Sequence, residues 1–122
     1  MNHNLLRDYC LSKPGAIETF PFGEGVRVYK VCNKVFGLHP VEKTVKISLK
    51  CEPMLAEILR GMYSAVQPGY HLNKMHWNTI SCDGHIPDAE VFSCIDHSYG
   101  LIVKSLSRVL RESLALDFSV RR

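Results

Sequence analysis

The sequence has no apolar run long enough to cross a membrane, because no stretch approaches the roughly eighteen apolar residues of a spanning helix. It also has no apolar core near its start of the kind that marks a signal peptide, since Arg7, Lys13 and Glu18 interrupt that segment. These two absences predict a cytoplasmic protein that has no membrane partner.

Paired cysteines are missing as well. The five cysteines lie at positions 10, 32, 51, 82 and 94, and no two of them form a CxxC pair. An odd number without such pairs predicts reduced thiols and no disulfide framework.

Four residues that could act as zinc ligands are close in sequence: His71, His76, Cys82 and His85. Their spacing matches no structural zinc site, so we expect no metal and no other cofactor.

Recognisable catalytic motifs are also absent. The sequence contains no glycine-rich phosphate loop, no GxSxG elbow and no paired-carboxylate arrangement. Asp96 and His97 are neighbours within a predicted helix, where adjacent side chains point to different sides, so they do not form a ready-made dyad. A reactive thiol at Cys51 or Cys82 would need a specific electropositive setting. The sequence therefore predicts a protein that is not an enzyme.

What is present is the composition of one globular domain. Of 122 residues, 46% are hydrophobic and 22% are charged, and a chain of this length buries about 65% of its unfolded surface. We expect a single domain, with its core over residues 5–110 and a frayed tail from Phe118 to Arg122. The net charge of +3 is too small by itself to require a polyanionic partner.

Hydrophobic periodicity predicts an α+β fold in the order α-β-β-β-α-β-β-α. Strands are expected at Val26–Val31, Lys34–Leu38, Val45–Leu49, Ala65–Leu72 and Trp77–Cys82. Helices are expected before Pro14, from Pro53 to about Gly61, and from Asp88 to about Leu106, while Val109–Leu116 either continues the last helix or adds a packed turn. These elements predict a two-layer sandwich, in which an antiparallel five-stranded sheet has helices on one face.

Two sets of side chains alternate along the strand Val45–Leu49. The apolar set is Val45, Ile47 and Leu49, and the polar set is Lys46, Ser48 and Lys50. Antiparallel sheets commonly have one packed face and one wet face, so the polar set is expected to face water. Further members expected on the wet face are Arg27 and Tyr29 from the first strand, and Trp77, Thr79 and Ser81 from the last.

A basic wet face that carries an indole can hold phosphates and stack against bases. The alternative is a solvated face, whose lysines keep the sheet soluble and discourage edge pairing.

The segment Pro68–Thr79 is unusually polar and holds the only tryptophan of the chain. Burying amides and imidazoles costs free energy unless each finds a partner, so the segment is either a stiffening network or a contact surface. Lys74 and His76 could meet phosphates, and Asn73 or Asn78 could pair with a base edge or a small ligand. The alternative is structural, because turn asparagines usually bond the local backbone.

Seven short motifs, which together span about residues 5–110, resemble those of one family. They are Pro14–Ala16, Phe20–Gly23, Leu49–Cys51, Pro68–His71, Asn73–Lys74, His76–Thr79 and Asp96–Tyr99. This combination is similar to the MmcQ/YjbR family. The resemblance implies a compact α/β domain described as DNA-binding, with a curved sheet whose projecting hairpins form a double wing. Since that description is a structural analogy, it informs the fold more than the activity.

The leading hypothesis is a non-enzymatic DNA-binding protein that is a monomer or a weak homodimer. Its expected nucleic-acid-binding residues are Arg27, Tyr29, Lys46, Lys50, Lys74, His76, Trp77 and Asn78. The alternative is a protein-interaction or chaperone-like adaptor that does not bind nucleic acid. A third hypothesis, small-molecule binding or catalysis, would need a pocket that gathers Tyr70, His71 and His76.

Overall fold

A computed structural model describes the backbone of residues 1–120 and the side chains of residues 1–115. Its helices are α1 (His3–Leu11), α2 (Pro53–Met62), α3 (Asp88–Ser105) and α4 (Arg108–Val120). Its strands are β1 (Ile17–Thr19), β2 (Val26–Val31), β3 (Lys34–Pro40), β4 (Lys46–Lys50), β5 (Val66–Pro68) and β6 (Trp77–Ser81). In this part of the chain, no helix is both long enough and apolar enough to cross a membrane.

All six strands form one antiparallel sheet in the order β1-β2-β3-β4-β6-β5. The β2–β3 hairpin turns at Cys32 and Asn33, whose φ angles are 47° and 64°. Two successive left-handed residues match the twist of a tight hairpin, and asparagine tolerates that conformation well. A β-bulge follows in the same hairpin, between Tyr29 and Lys30.

The α+β class and the antiparallel sheet agree with the sequence, but the prediction of five strands is wrong. The missed strand is β1, which has three residues and pairs with β2 through Ile17–Lys30, Glu18–Tyr29 and Thr19–Val28. So short a strand has no measurable alternation, and its pairing depends on the partner strand. The strand expected at Ala65–Leu72 shortens to β5, because a turn begins after Pro68.

The chain after α3 forms a separate helix, α4, in place of a simple continuation. The predicted tail Phe118–Arg122 overlaps the end of α4, and its last two residues lie outside the described part of the chain.

The helices pack on one face of the sheet, which we call the helix face. Helix α3 crosses β2, β3 and β4, and α2 lies beside β5. Phe36 meets Tyr99 edge to face, with ring centroids 5.5 Å apart. The Ser98 hydroxyl donates to the Phe36 carbonyl at 2.6 Å and accepts from the Lys50 N–H at 3.0 Å. These buried bonds fix α3 to the centre of the sheet.

Candidate nucleic-acid interface

The side of the sheet opposite the helix face is called the open face. Strands β4 and β6 pair there in the register Lys46–Ser81, Ser48–Thr79 and Lys50–Trp77. The hydroxyls of Ser48 and Thr79 are 2.7 Å apart and share a hydrogen bond. The predicted alternation of β4 and β6 is therefore confirmed, and it brings two lysines and the indole to one surface.

Arg27 and Tyr29 do not join that surface, so the sequence prediction for this pair is corrected. Arg27 pairs with His39 and Tyr29 pairs with Gly37, which places both on the helix face. Tyr29 is fully buried, and its hydroxyl is 2.8 Å from Nδ1 of His39. The Arg27 Nη1 atom is also buried, without a hydrogen-bond partner among the described residues. Both faces of β2 mix apolar and polar residues, so alternation alone could not choose between them.

The residue of β2 that sequence reasoning missed is Lys30. Lys30 pairs with Ile17 of β1 and with Val35 of β3. Its side chain points to the same side of β2 as that of Val28, which pairs with Leu38. Leu38 in turn pairs with Ser48 on the open face. The open face therefore carries a third lysine, which only the register of β2 with its neighbouring strands identifies.

A groove of about 520 Å³ opens on this face. Its floor includes Val26, Leu38 and Pro40, and its walls come from two loops. Phe22 from the β1–β2 loop and Tyr70 from the β5–β6 loop are 75% and 74% exposed. The remaining lining residues are Glu42, Lys46, Ser48, His71, Leu72 and Thr79. The size falls in the range of small-molecule sites, and two exposed aromatic rings border it.

The charge at the groove is mixed. The Lys46 ammonium is 3.9 Å from the Glu42 carboxylate, and both side chains are partly exposed. Such a pair contributes at most about 1 kcal/mol in water, and it leaves Lys46 available to another anion. Lys30 and Lys50 carry the remaining positive charge on the open face.

Asn78 lies on the helix face and serves the fold, which corrects its assignment to the nucleic-acid site. Its Oδ1 accepts a hydrogen bond from Arg60 Nε at 2.7 Å, and its Nδ2 donates to the Ala56 carbonyl at 3.4 Å. Asn73 is also structural, because its Oδ1 accepts from the Met75 N–H at 2.9 Å. Both asparagines therefore follow the structural alternative.

The rest of the polar segment forms an anchored loop at residues 69–76. Gly69 N–H donates to the Trp77 carbonyl at 2.8 Å, and the Arg60 guanidinium donates to the carbonyls of Lys74 and Trp77. The Lys74 ammonium donates to the Gly69 carbonyl at 3.2 Å. His76 is half-buried, and its carbonyl accepts from the Cys51 N–H at 2.8 Å. Lys74 and His76 are thus tied into the loop, and neither lines the groove on the open face.

A family model described as YjbR matches residues 11–101. This chain belongs to the YjbR family. Uncharacterized protein YjbR of Escherichia coli K12 is 38% identical over 110 residues, which cover 89% of this chain and 93% of the relative. Uncharacterized protein YbdF of Escherichia coli O157:H7 is 30% identical over 107 residues, covering 87% and 88%. These matches confirm the family that the sequence motifs predicted.

Two solved structures share the fold of this chain. The crystal structure of a Deinococcus radiodurans protein has a TM-score of 0.86 and 33% identity, and the match covers 92% of this chain and 86% of that one. A Pseudomonas syringae crystal structure has a TM-score of 0.72 and 28% identity, and the match covers 83% and 98%.

Four thiols of this YjbR-family chain are poorly suited to nucleophilic chemistry. Burial raises the pKa of Cys10 and Cys94 to about 12, and that of Cys51 and Cys82 to about 11.

A cavity of about 110 Å³ beneath α2 and α3 is lined in part by Cys51, Cys94 and His97. His97 accepts from the Glu52 N–H at 3.2 Å. Within the described residues, no group of three histidines, cysteines or carboxylates could hold a metal.

Proposed function

We propose that this YjbR-family chain is a non-enzymatic DNA-binding protein that uses the open face. The observation that carries the proposal is the meeting of Lys46, Lys50 and Trp77 on the side of the sheet opposite the helices. Lys30, on the same face, adds a third cation from a different strand. Cations spread over two strands can follow a phosphate backbone, and the indole offers a surface for a base.

The number of lysines on the open face sets the expected salt dependence of DNA binding. Three lysines provide three phosphate contacts, and each contact contributes about −0.7 to −0.9 to the log–log salt slope. The expected slope is therefore about −2 to −3. Glu42 beside Lys46 opposes a nearby phosphate and favours the shallower end of that range.

One further feature supports a binding role in place of catalysis. Four of the five cysteines have a raised pKa, which keeps the thiolate scarce at neutral pH. All five cysteines are free, as expected for a protein of the reducing cytoplasm, where we place its function.

The test is a fluorescence-anisotropy titration of labelled DNA at 50 and 200 mM salt, comparing wild type with the double variant Lys46→Glu and Lys50→Glu. We expect the variant to weaken binding at least about tenfold at low salt, because two phosphate contacts become repulsive. The matched control is Lys34→Glu with Lys104→Glu, which changes net charge equally. Lys34 pairs with Val31 on the helix face, and Lys104 lies on α3.

Binding that falls equally in both double variants would show that only net charge matters, and would refute a site on the open face. No binding of DNA by micromolar wild-type protein at 50 mM salt would refute DNA binding altogether. Circular dichroism of each variant checks that the fold is kept.

A second candidate function is a protein–protein contact through the same face. The observation that favours it is the apolar groove floor, with Phe22 and Tyr70 largely exposed beside it. In that case the chain would self-associate or bind an apolar peptide, and the affinity would not depend on the salt concentration. Static light scattering should then give a dimer mass that Trp77→Ala reduces to that of a monomer.

A further inference from the structure

We infer that the groove binds a single-stranded segment of nucleic acid and seats an unstacked base between Phe22 and Tyr70. This inference rests on the proposed function and names the form of nucleic acid that the site takes. In a duplex the faces of the bases are covered by their neighbours, so an aromatic side chain cannot stack on them without prior unstacking. In a single strand those faces are free.

The two aromatic rings provide the first argument. Phe22 and Tyr70 come from loops at opposite edges of the sheet, yet both line the same groove. Each is about three-quarters exposed. Exposed rings on two sides of one groove leave apolar surface uncovered, and a flat base would cover both.

The position of Tyr70 is held by its surroundings. Its backbone N–H donates to Thr79 Oγ1 at 3.2 Å, and its ring lies 4.0 Å from the His71 ring, measured between centroids. His71 has a φ of 58°, in the left-handed region that side chains rarely adopt. Because the loop is anchored by Arg60, little conformational entropy remains to be lost when a base binds.

The floor of the groove suits a base edge without selecting one base. Val26, Leu38 and Pro40 offer an apolar surface. Ser48 and Thr79 add two hydroxyls that share one hydrogen bond. A hydroxyl can donate or accept, so it accommodates any of the bases.

The number of cations provides the second argument. The groove holds Lys46 together with the opposing Glu42, and the rest of the open face adds Lys30 and Lys50. So few positive groups suit binding in which base stacking supplies much of the affinity, as in single-strand-binding proteins. A duplex-binding protein relies more on phosphate contacts, often about six to ten of them.

The experiment compares a labelled single strand of about 16 nucleotides with the same strand annealed to its complement. We expect the single strand to bind wild type at least about tenfold more tightly than the duplex. Phe22→Ala and Tyr70→Ala should each weaken single-strand binding by roughly 5- to 140-fold, the range of about 1–3 kcal/mol per stacked base. The duplex affinity should change little.

The matched control is Ile58→Ala, which removes an exposed apolar side chain from α2. It should bind both DNA forms as wild type does. Phe22, Tyr70 and Ile58 are all largely exposed, so thermal melting should show similar stability for the three variants.

Equal affinity for the two DNA forms would overturn this inference, as would unchanged single-strand binding by Phe22→Ala and Tyr70→Ala. If the double variant Lys46→Glu and Lys50→Glu still abolished binding in either case, DNA binding by the open face would hold without the preference for a single strand. Full displacement of the strand by micromolar thymidine monophosphate would also overturn the inference, because the groove would then be a site for a free nucleotide. Failure of both DNA forms to bind would remove both proposals.

Discussion

The Asn78 side chain is buried between β6 and α2, where its amide holds the Arg60 guanidinium in place. Arg60 also donates to the carbonyls of Lys74 and Trp77. One arginine therefore connects α2 to the C-terminal half of the polar segment, at Lys74, Trp77 and Asn78. Through Arg60, Asn78 helps to position the loop that carries Tyr70.

Replacing Asn78 with alanine should lower the free energy of unfolding by about 1–3 kcal/mol, because Arg60 loses a buried acceptor. Urea unfolding followed by circular dichroism measures this change. The control Asn4→Ala alters an exposed asparagine of α1 and should stay within about 0.5 kcal/mol of wild type. Similar urea midpoints for the two variants would contradict the structural role of Asn78.

A chain of hydrogen bonds, buried at its Tyr29–His39 end, links Tyr29, His39, His3 and the Glu42 carbonyl. His3 Nε2 is 2.6 Å from that carbonyl, which can only accept, so this nitrogen carries the proton. In neutral His3 the other nitrogen then accepts from His39 Nε2 at 2.8 Å. His39 Nδ1 is left to accept from the Tyr29 hydroxyl at 2.8 Å. A second proton on His39 would therefore remove the acceptor of the Tyr29 hydroxyl.

This chain of bonds should make stability depend on pH. Burial, with Arg27 and His3 nearby, lowers the pKa of His39 from 6.5 to about 4. The unfolded state therefore takes up a proton first as the pH falls, and the folded state is destabilised between pH 6.5 and about 4. The expected loss at pH 5 is about 2 kcal/mol, from about 1.4 kcal/mol per pH unit.

Urea unfolding at pH 7.5 and pH 5 tests this dependence. In His39→Gln the difference between the two pH values should shrink, although the variant is less stable at both. An equal difference in wild type and variant would assign the effect to other groups.

At the scale of residues, the sequence could predict which side chains of β4 and β6 share a face, because their alternation is clean. The sequence could not predict on which face of the sheet Arg27 and Tyr29 lie. Their partners, His39 and Gly37, become adjacent only when the β2–β3 hairpin closes in its register.

At the scale of elements, the loop 69–76 depends on one glycine. A Cβ atom on Gly69 would lie 2.7 Å from the Trp77 Cβ and 3.0 Å from the Trp77 carbonyl oxygen. Gly69→Ala should therefore destabilise the protein by about 1–3 kcal/mol, because strand and loop must move apart. Differential scanning calorimetry measures the change, and the fluorescence of Trp77 should shift with it.

The comparison for Gly69→Ala is Gly100→Ala in α3, where a Cβ atom would meet no described atom within 4 Å. Alanine there should raise stability by about 0.5–1 kcal/mol, because the helix loses a flexible residue. Destabilisation by both variants would show that Gly69 has no special role in the loop.

The longer elements were predictable from periodicity, and β2 begins and ends at the expected residues. The missed element, β1, lies beside a loop rich in glycine and proline and has only three residues. Its strand conformation comes from pairing with β2, a long-range interaction that local composition does not encode.

At the scale of the whole molecule, the net charge of +3 says little about function, whereas the distribution of the lysines over two strands says more. The lysines of β4 and the indole of β6 were predictable as one surface. The groove was not, because it forms where two loops from opposite edges of the sheet converge. Such convergence depends on the strand order, which has no signature in periodicity.

The two outermost strands of the sheet, β1 and β5, have three residues each, and β5 ends in a proline without an amide hydrogen. Edges this short offer few main-chain groups for an incoming chain, so lengthening of the sheet by an added strand is disfavoured. Growth into fibres or strand-swapped assemblies is correspondingly discouraged. A binding partner is left with the broad flat sides of the sandwich as its route of approach.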